Sequence, residues 1–389
     1  MHFIGIRKER GNGALQKTRR EEMRMNMRTW FRKPAVGALL AVPLLLSGCG
    51  LFSSPSSRPI DPPPPDIEMQ MMAESELQLS AVQGTVQEIR QEVKQDPNAS
   101  PLTVYLRNEH GLLAPITISV PKTDNPAQTS LEMLIDGSAN KDKIPSGFQA
   151  VLPKGTEVKQ VTIQQDKKRA IVELSGKFAD YSPRDERKVV EAITWTLTGI
   201  SGIEQVELWH DGKKLIEMPI DQFPLDKPLT RAIGINLEKA DDVVSYSQTV
   251  PVTLYFSAIT ADHFQYYVPV TRLVNPTDDL AATALEQLII GPIHSEALAS
   301  VMTSGTTVKH IEHDKEKSVI TVDLEDEIFE KGDKMPSEFL QAIVLTLTEN
   351  NHVKQVKINM NGESDIVGTD DIHYGKPVGR PEHINAVKS

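Results

Sequence analysis

The chain repeats itself at a spacing of 150 residues, and this repetition limits the fold more than any other feature. Thr103, Tyr105, Gly155, Val172, Leu174, Ala192, Ile193, Gln205 and Gly212 recur as Thr253, Tyr255, Gly305, Val322, Leu324, Ala342, Ile343, Gln355 and Gly362. So many matches at one offset mark a duplicated domain, and each half must fold by the same rules as the other. Only the first helix slips: Leu134-Ile135-Asp136-Gly137 matches Leu288-Ile289-Ile290-Gly291 at an offset of 154. The copies are assigned to residues 100–238 and 250–380.

Each copy has the same pattern. Short strands rich in Val, Leu, Tyr and Thr are expected at 102–106 and 116–120, and again at 252–256 and 266–270. Asn125-Pro126 starts a helix whose apolar face is Ala127, Leu131, Leu134 and Ile135, with Gly137 as its stop. Leu280, Ala284, Leu285, Leu288 and Ile289 do the same before Gly291-Pro292. A strand follows in which Ala170, Val172 and Leu174, or Ile320, Val322 and Leu324, take one face. Ser182 with Asp185 three residues on reads as a capping box for the second helix, whose core stripe is Val189, Ile193 and Leu197, matched by Phe339, Ile343 and Leu347. Asp211-Gly212 and Asn361-Gly362 are tight-hairpin signals after each closing strand. The fold class is therefore α+β: tandem two-layer domains, each with two helices on one face of a small, mostly antiparallel sheet.

No constellation for catalysis stands out. The chain lacks GxSxG, HExxH and a Walker loop, and no Gly-rich phosphate loop follows any strand. His310 and His313, three apart on a strand, point to opposite faces. His210-Asp211 suggests acid–base work, but the second copy has Met360-Asn361 there. Asp323, Glu325, Asp326 and Glu327 lack the alternating oxygen ligands and Gly turn of an EF-hand loop, so they read as a solvated face. Residues 192–198 and 342–348 are either a buried helix or a recognition surface; packing against the sheet is the simpler reading. No cofactor and no metal is expected. Aromatics are 5% of the chain and the balance is acidic, which argues against nucleic acid as a partner.

The N-terminus is an address. Arg24, Arg28, Arg32 and Lys33 precede an apolar run from Ala35 to Leu46, too short to span a bilayer. Leu46-Ser47-Gly48-Cys49 then matches the bacterial lipobox, which makes Cys49, the only cysteine in the chain, the lipidation site. Residues 1–48 are read as a signal peptide with an upstream extension, Met23, Met25 and Met27 offering closer starts. Their removal, with 10 Lys+Arg and 3 Asp+Glu, takes the formal net charge from −11 to −18. A body this acidic is repelled by anionic headgroups, so acyl chains rather than surface charge must hold it to the membrane. Residues 49–66, with Pro62 to Pro65, read as an extended stalk or a docking motif. Residues 67–98 read as a helical segment that packs on the first domain or forms a short coiled coil.

The lipobox with Gly50-Leu51-Phe52, Ile60-Asp61-Pro62-Pro63, Gly147-Phe148-Gln149-Ala150-Val151-Leu152-Pro153, Trp195-Thr196-Leu197-Thr198, Gly234-Ile235-Asn236-Leu237-Glu238 and Tyr266-Tyr267-Val268-Pro269-Val270-Thr271 resemble the GerMN family of spore-formation and germination lipoproteins. The resemblance implies a mother-cell lipoprotein on the extracytoplasmic membrane face, in the space between mother cell and forespore. There it would help assemble a transenvelope, secretion-like complex, with other envelope proteins as partners. It also implies domains similar to the ring-building motifs of secretion systems, and self-association is a further possibility. The expected function is non-enzymatic assembly through protein–protein contacts. The alternative is a peptidoglycan-binding or peptidoglycan-hydrolysing spore-wall protein, suggested by compartment and abundant carboxylates.

Overall fold

The computed structural model describes residues 98–351 and 353–387. Cys49, the signal peptide, the stalk and the helical segment expected over 67–98 lie outside the described residues, except for Asn98, which is in a turn.

The first copy runs β1 (Ala99–Asn108), β2 (Leu113–Pro121), α1 (Pro126–Met133), β3 (Phe148–Gln149), β4 (Thr156–Gln164), β5 (Arg169–Gly176), α2 (Glu186–Leu197), β6 (Gln205–His210) and β7 (Lys213–Lys214). After β8 (Glu238–Lys239) the second runs β9 (Val250–Ile259), β10 (Gln265–Val274), α3 (Leu280–Ile290), β11 (Thr307–Asp314), β12 (Val319–Glu325), α4 (Ser337–Asn351), β13 (Gln355–Met360) and β14 (Val378–Gly379). Within each copy the strands divide. An antiparallel hairpin anchors one small sheet, of order β2-β1-β3 or β8-β10-β9. The other strands form a four-stranded sheet, β4-β5-β6-β7 or β11-β12-β13-β14. β5 and β6 are parallel, as are β12 and β13, because a whole helix crosses between them.

Asp211-Gly212 and Asn361-Gly362 make the expected turns, with φ of +46°, +76°, +52° and +78°. Positive φ at both central residues matches the twist of the flanking strands. Two helix boundaries differ from the sequence reading. α1 stops at Met133 because Leu134 C=O leaves the helix to accept from Val151 and Leu152 N–H. Gly137, at φ +72°, then turns the chain outside the helix. Ser182 caps a 3₁₀ turn over 183–185 rather than α2 itself, accepting from Arg184 N–H at 3.4 Å. Asp185 does not fold back to complete the box; it faces Arg107 at 3.3 Å.

α2 is buried well beyond one stripe. Every residue from Val189 to Leu197 is buried, because β1, β2 and β6 all pack on the helix. Thr196, and Thr346 in the second copy, are there for a reason set by two prolines. Pro115 lies opposite Tyr105, and Pro269 opposite Tyr255. Proline has no N–H, so neither pair bonds across the ladder, and the Tyr N–H turns to the far side of its strand. Thr196 Oγ1 accepts Tyr105 N–H at 3.0 Å, and Thr346 Oγ1 accepts Tyr255 N–H at 3.1 Å. A buried N–H is costly to leave unmade, and a helix hydroxyl meets each one.

The offset of 154 has a structural meaning. Each strand of the second hairpin extends two residues further, to the pair Ile259 and Gln265, where the first pairs only to Arg107 and Leu113. The segment between Gly137 and Gly155 is four residues longer than that between Gly291 and Gly305, which restores 150. The two additions meet. Phe148 packs edge-on to Tyr266 at 4.8 Å and to Phe264 at 6.3 Å, and Asn108 Nδ2 donates to Tyr266 OH at 3.1 Å.

Thr196→Val and Thr346→Val keep volume but remove the acceptor. Each is expected to lower unfolding free energy by about 1–3 kcal/mol, measured by urea denaturation, while Thr→Ser loses less.

Candidate functional site: the junction between the copies and the groove beside it

The same prolines aim their carbonyls out of the sides of β2 and β10 that face away from their hairpin partners, and these two strands pack against each other. An exposed strand edge is a hazard unless its groups are met. Two asparagine side chains meet them. Asn236 Nδ2 donates to Leu113 O at 2.8 Å on β2 and to Pro269 O at 2.7 Å on β10, while its Oδ1 accepts Leu113 N–H at 2.9 Å. Asn385 Nδ2 donates to Tyr267 O at 2.8 Å on β10 and to Pro115 O at 2.7 Å on β2, while its Oδ1 accepts Tyr267 N–H at 2.8 Å. Both stand in the left-handed region, at φ +47° and +53°, where asparagine is the best tolerated residue after glycine.

Each asparagine sits in an arm that crosses to the other copy. β8, just after Asn236, pairs in parallel with β10 of the second copy. Ala386, just after Asn385, bridges in parallel to Thr117 of the first. Glu238 of the first arm also reaches the buried Arg272, Oε1 to Nε 2.7 Å.

Upstream in each arm is an arginine. Arg231 donates to both oxygens of Glu349 at 2.9 Å and to Thr198 Oγ1 at 3.0 Å, with its guanidinium 4.5 Å from the Trp195 ring centroid. Arg380 lies 3.2 Å from Glu349 and 4.9 Å from the Tyr255 ring centroid. Tyr255 OH accepts from Arg380 at 2.5 Å and donates to Glu349 at 3.0 Å. The position 150 before Glu349 is Gly199, so one carboxylate serves two guanidiniums. Burial works against the charge on Glu349, but Arg231 and Arg380 outweigh it and hold its carboxyl below the usual glutamate range. Burial pushes the Tyr255 hydroxyl well above its ordinary value.

The sequence carried a signal for this junction: Arg231-Ala-Ile-Gly-Ile235-Asn236 recurs as Arg380-Pro-Glu-His-Ile384-Asn385. It recurs at 149 rather than 150, and only three of six residues match, so a search at one offset passes over it.

Beside the junction, on the first copy, a groove of about 670 Å³ is lined by Arg107, Asp136, Lys141, Phe148, Tyr181 and Asp185 among others. Arg107 is 3.3 Å from Asp185 and 3.5 Å from Gln149 Oε1, so the guanidinium is engaged at the groove wall. The second copy has Ser257, Ile290, Lys331 and Met335 in place of Arg107, Asp136, Tyr181 and Asp185. The charges of Arg107, Asp136 and Asp185 thus belong to the first copy alone.

His310 faces Asp323 across the ladder and His313 faces Ile320, on opposite faces of β11. His210 packs on Phe178 at 5.5 Å and lies 3.6 Å from Asp211. Of the acidic run, Asp323 is bound by Asn359, Glu325 by Lys309, and Asp326 is buried rather than solvated. Burial alone would raise Asp326, but Thr303, Thr306 and Ile328 N–H donate to it and hold it below the aspartate range. Residues 192–197 and 342–347 are buried throughout. Among the described residues no group of three or more His, Cys, Asp or Glu is placed to hold a metal ion.

A carboxyl with a lowered pKa stabilises the fold above its unfolded value and loses that contribution as pH falls through its folded value. Glu349→Gln is therefore expected to be less stable than the parent chain at pH 7. The gap should narrow as pH is lowered below about 4.3, as read by urea midpoints at pH 7 and pH 3.

The family model for sporulation and spore germination proteins, Germane, matches residues 103–216 and 253–365. The chain is 36% identical over 364 residues to the spore germination protein GerM of Bacillus subtilis (strain 168), covering 90% of this chain and 98% of that protein. The solved tandem GerMN domains of the B. subtilis sporulation protein GerM superpose with a TM-score of 0.68 at 34% identity, covering 75% of this chain and all of that one. Two family matches set in tandem, one on each copy, together with identity along nearly the whole chain, place this protein in the Germane family of sporulation and spore germination proteins.

Proposed function

We propose that the chain is a non-enzymatic assembly factor, anchored through a lipid on Cys49 to the outer face of the mother-cell membrane. There it helps build the complex that joins mother cell and forespore, and through it affects later germination. The observation that carries this reading is the reciprocal crossing of the arms. It turns two similar modules into one body and uses their most reactive surfaces, the hairpin edges, internally. What remains outward is the polar face of each four-stranded sheet and the groove of the first copy, surfaces suited to contact with another protein. Among the described residues no helix is long and apolar enough to cross a membrane. Membership of a sporulation family supports the setting.

The groove carboxylates keep the peptidoglycan reading testable. Asp185 is tied to a guanidinium, whereas a glycosidase needs a free acid and a second carboxylate across the scissile bond. Lys141→Glu with Lys154→Glu reverses two exposed charges on the groove and is expected to leave thermal unfolding unchanged. The same chain should lose its envelope partners in crosslinked co-purification from sporulating cells. Release of muropeptides when the unaltered chain is incubated with purified peptidoglycan would favour the hydrolase instead.

A further inference from the structure

The junction contacts obey a two-fold rule. Because the second hairpin is longer by four residues, Pro269 corresponds to Pro115 and Tyr267 to Leu113. Asn236 then binds Leu113 of its own copy and Pro269 of the other, while Asn385 binds Tyr267 of its own copy and Pro115 of the other. Exchanging the copies turns these bonds into one another; Lys188 Nζ, which donates to Asn236 Oδ1 at 2.7 Å, is an addition of the first copy alone. The helix hydroxyls and the arginines follow the same exchange. Arg231 donates to Thr198 at 3.0 Å, and Arg380 lies 3.5 Å from Thr348. The strand additions do so too, each arm running parallel to the outer strand of the opposite hairpin. An interface in which residue i meets j and j meets i is the signature of a self-complementary, two-fold dimer.

We infer that this chain is a covalently fused homodimer. Each half recognises the other as one subunit recognises its mate: the outer edge of its hairpin binds the Arg-x-x-x-Ile-Asn arm of a second copy of the same fold. The linker is not needed for that recognition. The fit is chemical. A strand edge interrupted by proline offers a carbonyl without a neighbouring donor to pair it, and an asparagine in the left-handed conformation supplies the missing N–H to two edges at once. Any chain bearing one such module and its arm is a ligand for the same surface.

The segment linking the halves allows a test on the whole protein. Val244 is 97% exposed, so a protease site inserted between Val244 and Ser245 is accessible, and each arm stays with its own half after cutting. The cut chain is expected to elute as one species with the mass of the uncut chain at micromolar concentration. Asn236→Leu and Asn385→Leu keep side-chain shape but remove the Nδ2 donor and the Oδ1 acceptor, without setting a new carboxylate beside Lys188. Each is expected to weaken association of the cut halves by ~10-fold or more, and by factors within about threefold of each other. Should the unaltered halves part on cutting, or the doubly substituted halves hold as tightly as the parent, recognition through the arms is wrong. A disparity of more than about 30-fold between the two single substitutions, each read on a chain that unfolds cooperatively before cutting, would overturn the two-fold reading.

Discussion

Everything in this structure leans on how two strand edges are closed. β2 and β10 each carry a proline on the side away from their hairpin partner, and each would otherwise present bare carbonyls to solvent or to another chain. Ordinary strand pairing between them is blocked, since proline cannot donate. The amide of a single asparagine solves this locally: it accepts from one main-chain N–H and donates to carbonyls on both strands. With two such residues placed on crossed arms, the edges are joined without forming one continuous sheet. The hairpins, the helices beneath them and the four-stranded sheets beyond are thereby fixed in one unit.

The charged cluster shows where duplication has been allowed to drift. The equivalent arginines are both kept in place, one over Trp195 and one over Tyr255, yet only the second copy supplies a carboxylate. A carboxylate shared by two guanidiniums is strongly favoured in its charged form, and removing it would leave two cations facing each other. The same drift separates the groove linings: Arg107, Asp136 and Asp185 of the first copy have Ser257, Ile290 and Met335 in the second. Ancestry thus fixes the frame, and single positions then differentiate the faces.

Much of the frame was readable from the chain itself. The repeat, the strand alternation in Val172 and Leu174, the helix stripes and the Asp-Gly and Asn-Gly turns all depend on local spacing, and local spacing survives in sequence. Three things did not. The division of strands into two sheets depends on which edges meet in space. The burial of α2 on all sides looks amphipathic in sequence because its threonines and glutamate are polar, although each of Thr196 and Glu191 has a buried partner. The crossed arms lie in stretches with no periodicity, and their shared motif is offset by one residue from the main repeat. The expectation of lipidation at Cys49 rests on its lipobox, whereas Asn236 and Asn385 look like ordinary loop residues until the bonds of their side chains to β2 and β10 are traced.

The longer second hairpin has one more effect. Its tip, with Phe264 and Tyr266, rests against the added loop at Phe148 on one flank of the molecule. The first hairpin is shorter and the second copy's loop between Gly291 and Gly305 is four residues shorter, so the two additions have no counterparts. A perfect pair of twins would look the same from either side and could be gripped in two equivalent ways. This body has a head and a tail, so anything that seizes it can tell which end it holds.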